Sequence, residues 1–262
     1  MYMAAAAQVA SALKGSTFIV YCADDRNFAA ITTKLHELLP ETNMIGTTGF
    51  MFEDNGSFAE GIAAIGFEEN EAEVYAGTIQ DAPTCPINHL PELRDSVEKI
   101  HAKYKDKDAL CLEFATGYEE ELGYTDANIE EGVFKNPLCR IVGAENYITA
   151  IFSFNPDRSI STYKNVQKND LICFTNIEED YQDYMKNTMK NVVQSGNVAG
   201  IISINCILRY LFFENNSYTP AYARMMHEMS GGVHFGMVGD GEQYVEQHVN
   251  QSMVCAVFMN GH

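Results

Sequence analysis

The sequence predicts an α+β fold, with helices layered on mixed, largely antiparallel sheets in an αββα-like sandwich. Short apolar strands alternate with amphipathic helices along the chain. The strand candidates at 62–67 and 73–79 are joined by only a short acidic connection. We expect this pair to be antiparallel, because a parallel crossover needs about a dozen residues or more. A purely parallel, doubly wound sheet is therefore not expected.

The strand candidates are short apolar runs with β-prone residues. They cover residues 18–22, 62–67, 73–79, 109–114, 148–154, 171–174 and 200–208. Two further β-prone runs, 232–238 and 252–258, flank a glycine-rich turn with glycines at 236, 239 and 241. Such a turn can present polar side chains to a ligand. It can equally be an ordinary turn between two core strands.

Helices are predicted from apolar residues that recur at helical spacing. One helix carries Phe28, Ile31, Leu35 and Leu38, ends before Pro40, and is followed by candidates at 93–104 and 181–192. The helix at 181–192 has acidic residues before its start and lysines later, the order that the helix dipole favours. A fourth helix has Thr219 as its cap, Pro220 in its first turn and Gly231 after its end.

Length and charge limit the classes of function. The 262 residues fit one large or two smaller domains, and we place the boundary near Glu145, giving domains 1–144 and 145–262. The net charge of −19 makes nucleic acid and anionic membrane surfaces poor partners. No apolar run has the length of about 18 residues that a membrane-spanning helix needs, and the N-terminus lacks a basic signal-peptide start. Seven cysteines without a C-x-x-C pair suit a reducing, cytoplasmic location.

Two glycine turns of the chain have weakly similar sequences. Residues 44–50 and residues 235–241 both place glycines close together just after a strand. The two turns are either related or similar by chance.

Six segments together carry a resemblance to a known family. In the first half they are Ile45-Gly46-Thr47-Thr48-Gly49, the run 114–118 with its acidic continuation 119–121, and the run 140–144. In the second half they are the strand 201–209 with Cys206 and Arg209 three residues later, the turn 236–242, and the cluster 248–252. In their order and spacing these segments resemble the FIST sensory module, a paired N- and C-terminal domain of intracellular signal-transduction proteins. The region 147–170 is compressed relative to the family pattern, and one residue is inserted between His248 and Asn250.

The resemblance implies a sensor that binds a small molecule, with amino acids or related metabolites as the suggested ligands. Family members are commonly joined to chemotaxis-receptor, kinase or other output domains, so we expect a signalling output domain or a partner protein. No output domain is recognisable in this chain. No cofactor is predicted, and a homodimer stays open.

Arg209 and Glu242 are the main candidate ligand-binding residues. A guanidinium after an apolar strand can clamp a carboxylate, although an ion pair with Glu242 or Glu214 would explain it as well. Glu242 can accept hydrogen bonds from an ammonium group. An amino acid needs both charges, so the prediction requires Arg209 and Glu242 to converge.

Four further residues are weaker candidates. His248 and Asn250 are expected to share one face of a strand edge, with Gln251 on the other, although a structural role for His248 is open. Thr47 and Thr48 can bind ligand oxygens or cap the next segment.

Two other classes of function were weighed. Cys206 beside Asn205, with His234 or His248 as base, could form a nucleophilic pair, but an apolar strand of an acidic protein is a poor setting for a thiolate. We therefore predict no catalysis. His227 lacks the second histidine of a zinc helix, so no metal is predicted. A stripe of Tyr222, Met225, Met226 and Met229 is either core or the contact surface of a protein-interaction scaffold.

Overall fold

A computed structural model of the chain describes most residues. They are 2–49, 51–53, 56–58, 60–68, 72–78, 80, 111–113, 118, 122–125, 127–142, 145–156, 159–163, 171–193, 197–244 and 247–260. The predicted helix at 93–104 and the motif segments 114–117 and 119–121 lie outside them.

The described helices are α1 (Tyr2–Ala12), α2 (Phe28–Leu38), α3 (Glu131–Lys135), α4 (Tyr181–Val192), α5 (Ile207–Asn215) and α6 (Thr219–Met229). The strands of the first part are β1 (Phe18–Ala23), β2 (Asn43–Thr48), β3 (Met51–Glu53), β4 (Gly56–Phe58), β5 (Ile62–Phe67) and β6 (Ala72–Thr78). The middle strands are β7 (Cys111–Glu113), β8 (Leu138–Val142), β9 (Glu145–Thr149), β10 (Ile151–Phe154), β11 (Ser159–Thr162) and β12 (Leu171–Phe174). The last strands are β13 (Val198–Cys206), β14 (His234–Gly239), β15 (Glu242–Tyr244), β16 (Gln247–Val249) and β17 (Ser252–Met259).

The chain forms two compact units that differ from the predicted domains 1–144 and 145–262. One unit joins residues 1–78 to residues 182–262, and the other covers residues 79–181. The predicted boundary near Glu145 falls inside a hairpin, because β8 and β9 pair antiparallel on either side of it. A boundary there would divide a hydrogen-bonded ladder.

The first unit contains two mixed sheets. The first sheet has the strand order β16-β15-β2-β1-β5, and the second has the order β14-β13-β17-β6. Only the pairs β1 with β2 and β13 with β14 are parallel within these two sheets. The predicted α+β class with mixed, largely antiparallel sheets is confirmed.

The two sheets of this unit pack face to face between helices. On one face of the first sheet, α1 and α2 bury a shared core with β1 and β2: Ala6, Ala10, Ile19, Tyr21, Ala23, Phe28, Ile31, Leu35, Leu39 and Met44. On the other face, Phe18 meets Phe258 of β17 edge-on, with ring centroids 5.3 Å apart. Burying one such ring contributes roughly 1.5–3 kcal/mol. Helix α6 covers the far face of the second sheet, where Asn205 donates to Tyr222 Oη at 2.9 Å.

One pairing prediction was wrong. The strands β5 and β6 do not pair with each other, because β5 joins β1 in the first sheet and β6 joins β17 in the second. The short connection carries the chain from one layer of the sandwich to the other. Both strands still pair antiparallel with their neighbours, so the conclusion about mixed sheets holds.

The first unit also contains a topological repeat. In each half, a strand leads through helical structure to a parallel partner: β1 through α2 to β2, and β13 through α5 and α6 to β14. The strands β2, β3 and β4 have the same lengths and spacing as β14, β15 and β16. The two glycine turns with weakly similar sequences, at 44–50 and 235–241, therefore lie at equivalent positions of the repeat.

The second unit has its own core. Its sheets have the orders β10-β11-β7 and β12-β8-β9. The predicted strand at 148–154 is two strands, β9 and β10, interrupted at Ala150. The core comprises Tyr118, Ile129, Leu138, Ile151, Ile160, Ile172 and Phe174. Within the part of the chain that the structure describes, no helix is long and apolar enough to cross a bilayer.

Candidate functional site

The candidate site lies where β13 passes into α5. The strand ends at Cys206, the helix begins at Ile207, and Arg209 occupies the first helical turn. The prediction of a strand that continues to residue 208 was wrong, because the last apolar residues of that run start the helix. A cation in a first turn is disfavoured by the helix dipole. This position therefore favours an anionic group close to Arg209.

Arg209 is only 3% exposed, which is rare for an arginine. Its Nη2 lies 2.6 Å from Met185 Sδ, and its Cζ lies 5.1 Å from the centroid of the Phe213 ring. Its Nε has no hydrogen-bond partner among the described residues. Burial lowers the pKa of Arg209, while Tyr222, Glu242, Cys206 and Tyr218 raise it. The guanidinium thus retains donor capacity inside the protein.

Glu242 reaches the same place from the first sheet. It is fully buried at the start of β15, and β15 packs against β13 and β17 of the second sheet. Its Oε2 accepts a hydrogen bond from Ser252 Oγ at 2.9 Å. The Glu242 charge acts on the pKa of both Arg209 and Cys206. The two charged residues predicted from the sequence therefore lie within electrostatic reach of each other.

Two buried asparagines occur in the segments that carry these charges: Asn205 precedes the end of β13, and Asn250 follows Val249, the cross-strand partner of Glu242. Asn250 is 1% exposed, and neither its Nδ2 nor its Oδ1 has a hydrogen-bond partner within the described part of the chain. Asn205 uses its Nδ2 for Tyr222, while its Oδ1 has no such partner there. The next residue, Gln251, has a φ of 49°, which few residues other than glycine adopt. Its carbonyl accepts a hydrogen bond from Thr78 Oγ1 at 3.0 Å.

Thr47 supports the glycine turn rather than lining the site. It pairs with Glu242 across the first sheet, and its hydroxyl donates to the Gly241 carbonyl at 2.9 Å. A Cβ at Gly239 would overlap Thr47 Oγ1. The Thr47 hydroxyl therefore fixes the turn that carries Glu242, in a distant part of the chain, and this differs from the predicted cap of the next segment.

His248 and Thr48 lie on the opposite face of the first sheet from Glu242. His248 contacts Phe28 of α2 edge-on at 5.0 Å, and its cross-strand neighbour Gln243 lies 3.1 Å from His36 of α2. Thr48 alternates with Met44, which packs in the core under the same helix. The structure therefore does not bring these two candidates together with Arg209.

The predicted strand alternation of His248 and Asn250 was also wrong. The strand β16 ends at Val249, so Asn250 and Gln251 lie in the short connection to β17. Period-two alternation does not extend into that connection. Asn250 is buried at the candidate site, whereas His248 is partly exposed and turned toward α2.

The geometry opposes a thiol nucleophile. Cys206 is 1% exposed, and burial together with the Glu242 charge raises its pKa to about 12. The backbone N–H groups of Gln251, Leu208 and Arg209 act in the opposite direction but do not prevail. His234 lies 2.9 Å from the hydroxyl of the buried Ser203, on the adjacent strand. A proton on the Cys206 thiol would be hard to remove near neutral pH.

Most of the methionine and tyrosine stripe belongs to the core, whereas its last member, Met229, is partly exposed. Tyr222, Met225 and Met226 are buried under the second sheet. They cannot form the contact surface that the scaffold hypothesis placed on this helix.

Some site residues were missed from the sequence. Tyr222 was assigned only to the stripe, although its hydroxyl bonds Asn205, and Met185 was not connected with Arg209. Ser203 and Asn205 carried a detectable signal, because they are alternating polar residues on one face of an otherwise apolar strand.

The equivalent end of the first repeat is closed by local bonds. After β1, the Asp24 carboxylate accepts hydrogen bonds from the Asn27 backbone at 3.1 Å and from Asn27 Nδ2 at 2.7 Å. Arg26, at the position that matches Arg209 in the repeat, is exposed. The second repeat instead buries its arginine and two amide groups that have unused hydrogen-bonding atoms among the described residues.

In comparisons with known proteins, no family model matches the chain and no curated protein is significantly similar to it. The resemblance to the FIST module stays a prediction.

Proposed function

We propose that this chain is a non-catalytic, cytoplasmic sensor that binds a zwitterionic small molecule, with an amino acid as the candidate. The observation that carries this proposal is the buried Arg209, whose Nε lacks a partner among the described residues, beside the buried Glu242. The FIST resemblance supports the same class of function.

The two residues complement the two ends of an amino acid. A guanidinium donates to a carboxylate, and a carboxylate accepts from an ammonium group. One buried positive charge and one buried negative charge leave the site close to neutral, which favours a ligand that is itself neutral overall. A buried charge with unused hydrogen-bonding capacity is unfavourable, and the Nε of Arg209 has such capacity among the described residues.

Sensing would follow from differential affinity. A ligand shifts a conformational equilibrium only when it binds one state more tightly than another. Arg209 lies at the start of α5, directly after β13 of the second sheet, and Glu242 lies in β15 of the first sheet. A ligand held by both would therefore favour one arrangement of the two layers. An attached output domain or a partner protein would then read that arrangement.

The test is a thermal-unfolding screen with each of the twenty amino acids, and with acetate and ethylamine as single-charge controls. A ligand at one hundred times its Kd adds about 2.7 kcal/mol, which corresponds to a rise in Tm of roughly 5–10 °C. We expect neutral amino acids to raise the Tm of the wild type and of the exposed-site control Arg224→Met. The variant Arg209→Met should lose the shift.

Absence of a shift with every amino acid would refute the proposal. An unchanged shift in Arg209→Met would refute the assignment of the site.

A second candidate function, a protein-interaction scaffold, is favoured by a different surface. The strand β14 lies at the edge of the second sheet, and Val233, Phe235 and Val238 are exposed there. Apolar edge strands can pair with another chain. Sedimentation equilibrium of the wild type and of Phe235→Lys tests this: self-association that the variant abolishes would support it, and a monomeric wild type would remove the homodimer.

A further inference from the structure

The side-chain amide of Asn250 is a buried polar group that the charge pair does not explain. It is 1% exposed, and both its nitrogen and its oxygen lack hydrogen-bond partners in the described part of the chain. A side-chain amide carries two donor hydrogens and one acceptor oxygen. Burying such a group without partners is unfavourable, so its position calls for a complementary group.

The backbone places Asn250 one residue beyond Val249, the cross-strand partner of Glu242. Two residues further on, Ser252 donates a hydrogen bond to Glu242. The positive φ of Gln251 turns the chain between them, and the hydrogen bond from Thr78 to the Gln251 carbonyl secures that turn. The amide is therefore positioned by two neighbouring residues with fixed contacts.

We propose that Asn250 determines the specificity of the site, and that the ligand presents a carboxamide to it. This inference rests on the proposed function, because Arg209 and Glu242 would hold the amino-acid end of the same ligand. A carboxamide offers one donor group and one acceptor, so it can pair with Asn250 through two complementary hydrogen bonds. The expected ligand class is an amino acid with a terminal amide.

Competing side chains satisfy Asn250 less well. A side-chain carboxylate offers only acceptors and adds a negative charge beside Glu242, in a chain whose net charge is −19. An alkyl or thioether side chain offers no strong hydrogen-bonding group. Sites that hydrogen-bond a polar substrate group discriminate strongly against analogues that lack it.

Isothermal titration calorimetry of the wild-type chain tests this selectivity. The probes are L-glutamine, L-asparagine, L-methionine and L-glutamate, where methionine matches the length of glutamine without its amide. We expect one of the two amide amino acids to bind at least about tenfold more tightly than methionine and glutamate. Equal or weaker binding of both amides would overturn the inference.

Two variants locate the effect. Asn250→Leu should abolish the preference for the amide while methionine still binds, and Asn250→Asp, which loses the amide donors, should weaken the preference. Asn215→Leu, at an exposed asparagine of α5, should leave it unchanged. An amide preference that persists in Asn250→Leu would overturn the assignment.

The outcomes separate the two proposals. If neutral amino acids bind without any amide preference, the inference about Asn250 fails and the proposed function stands. If no amino acid binds to the wild type, both fail.

Discussion

At the scale of single residues, the account depends on how two buried charges influence each other. Arg209, in α5, and Glu242, in β15, are both removed from water. Removing one member of a buried charge pair leaves the other uncompensated, at a cost of about 3–5 kcal/mol. Replacing both with neutral residues of similar size can be nearly neutral.

A double-mutant cycle measures this interaction. We expect Arg209→Met and Glu242→Gln each to destabilise the chain, and the double variant to lose about 1–3 kcal/mol less than the sum of the two single losses. Urea unfolding followed by circular dichroism gives the free energies. The exposed pair Lys34 and Glu37, 2.8 Å apart, is the control and should show a coupling below about 1 kcal/mol. Strictly additive effects at Arg209 and Glu242 would show that the charges do not interact.

The second residue-scale prediction concerns Cys206. Because burial and Glu242 raise its pKa to about 12, we expect iodoacetamide at pH 8 to leave Cys206 unmodified in the folded chain. The same residue should react once the chain is unfolded in urea, and peptide mass spectrometry identifies the modified site. The partly exposed Cys22 is the internal comparison. Rapid alkylation of folded Cys206 would revive the enzyme hypothesis.

The same shift gives a pH dependence with a defined sign. The folded state binds the Cys206 proton more tightly than the unfolded state, where the thiol pKa is 9.0. Below about pH 9 the thiol is protonated in both states, so its contribution to the free energy of unfolding does not vary with pH. Above that pH the unfolded state loses the proton first, and the free energy of unfolding should fall as the pH rises toward 12. The fall should be smaller in Cys206→Ala, measured by urea unfolding at pH 8, 9.5 and 10.5. Identical pH profiles would contradict the shift.

At the scale of elements, the glycine turn after β14 is the part that presents Glu242. A Cβ at Gly239 would overlap the hydroxyl of Thr47, which itself holds the turn through the Gly241 carbonyl. We expect Gly239→Ala to destabilise the chain by about 1–3 kcal/mol and to weaken ligand binding, because Glu242 must shift.

Gly77 in β6 is the matched control, since a Cβ there meets no atom within 4 Å. Gly77→Ala should be neutral or slightly stabilising. Replacing Thr47 with alanine in the Gly239→Ala background should restore part of the stability. Equal unfolding midpoints for Gly239→Ala and Gly77→Ala would contradict the described packing.

Local patterns were enough to predict several elements. The helices α2, α4 and α6 have apolar spacing and end signals within their own sequences, and all three were predicted. The prediction of Thr219 as the cap of α6 was wrong, because Thr219 is the first helical residue and Tyr218 precedes it as the cap. The start of α5 was missed, because the apolar, β-prone run that ends β13 continues into its first residues. At this change from strand to helix, Arg209 is buried against Met185 of α4, a helix distant in the sequence.

At the scale of the whole molecule, the site depends on contacts between distant parts of the chain. Thr47 and Gly241 are 194 positions apart, yet their hydrogen bond joins the two halves of the first sheet. No local pattern indicates that β15 pairs with β2 and that β16 pairs with β15, so the sequence could not show that His248 faces away from Glu242. The convergence of Arg209 with Glu242 was predictable only as a requirement of the proposed ligand.

The repeat within the first unit allows the end of β13 to be compared with the equivalent end of β1. The end of β1 is closed by Asp24 and Asn27, whereas the end of β13 buries Arg209, Asn205 and Glu242. Equivalent backbone positions have thus acquired different chemistry. This contrast supports a specialised role for the second half.

The most direct test of the central claim modifies the ligand and leaves the protein intact. Calorimetry would compare the neutral amino acid that gives the largest thermal shift with its methyl ester and its N-acetyl derivative. The ester removes the carboxylate that Arg209 would bind, and acetylation removes the ammonium that Glu242 would bind. We expect each derivative to bind at least about tenfold more weakly than the free amino acid. Equal binding of all three compounds, or no binding by any amino acid, would contradict it.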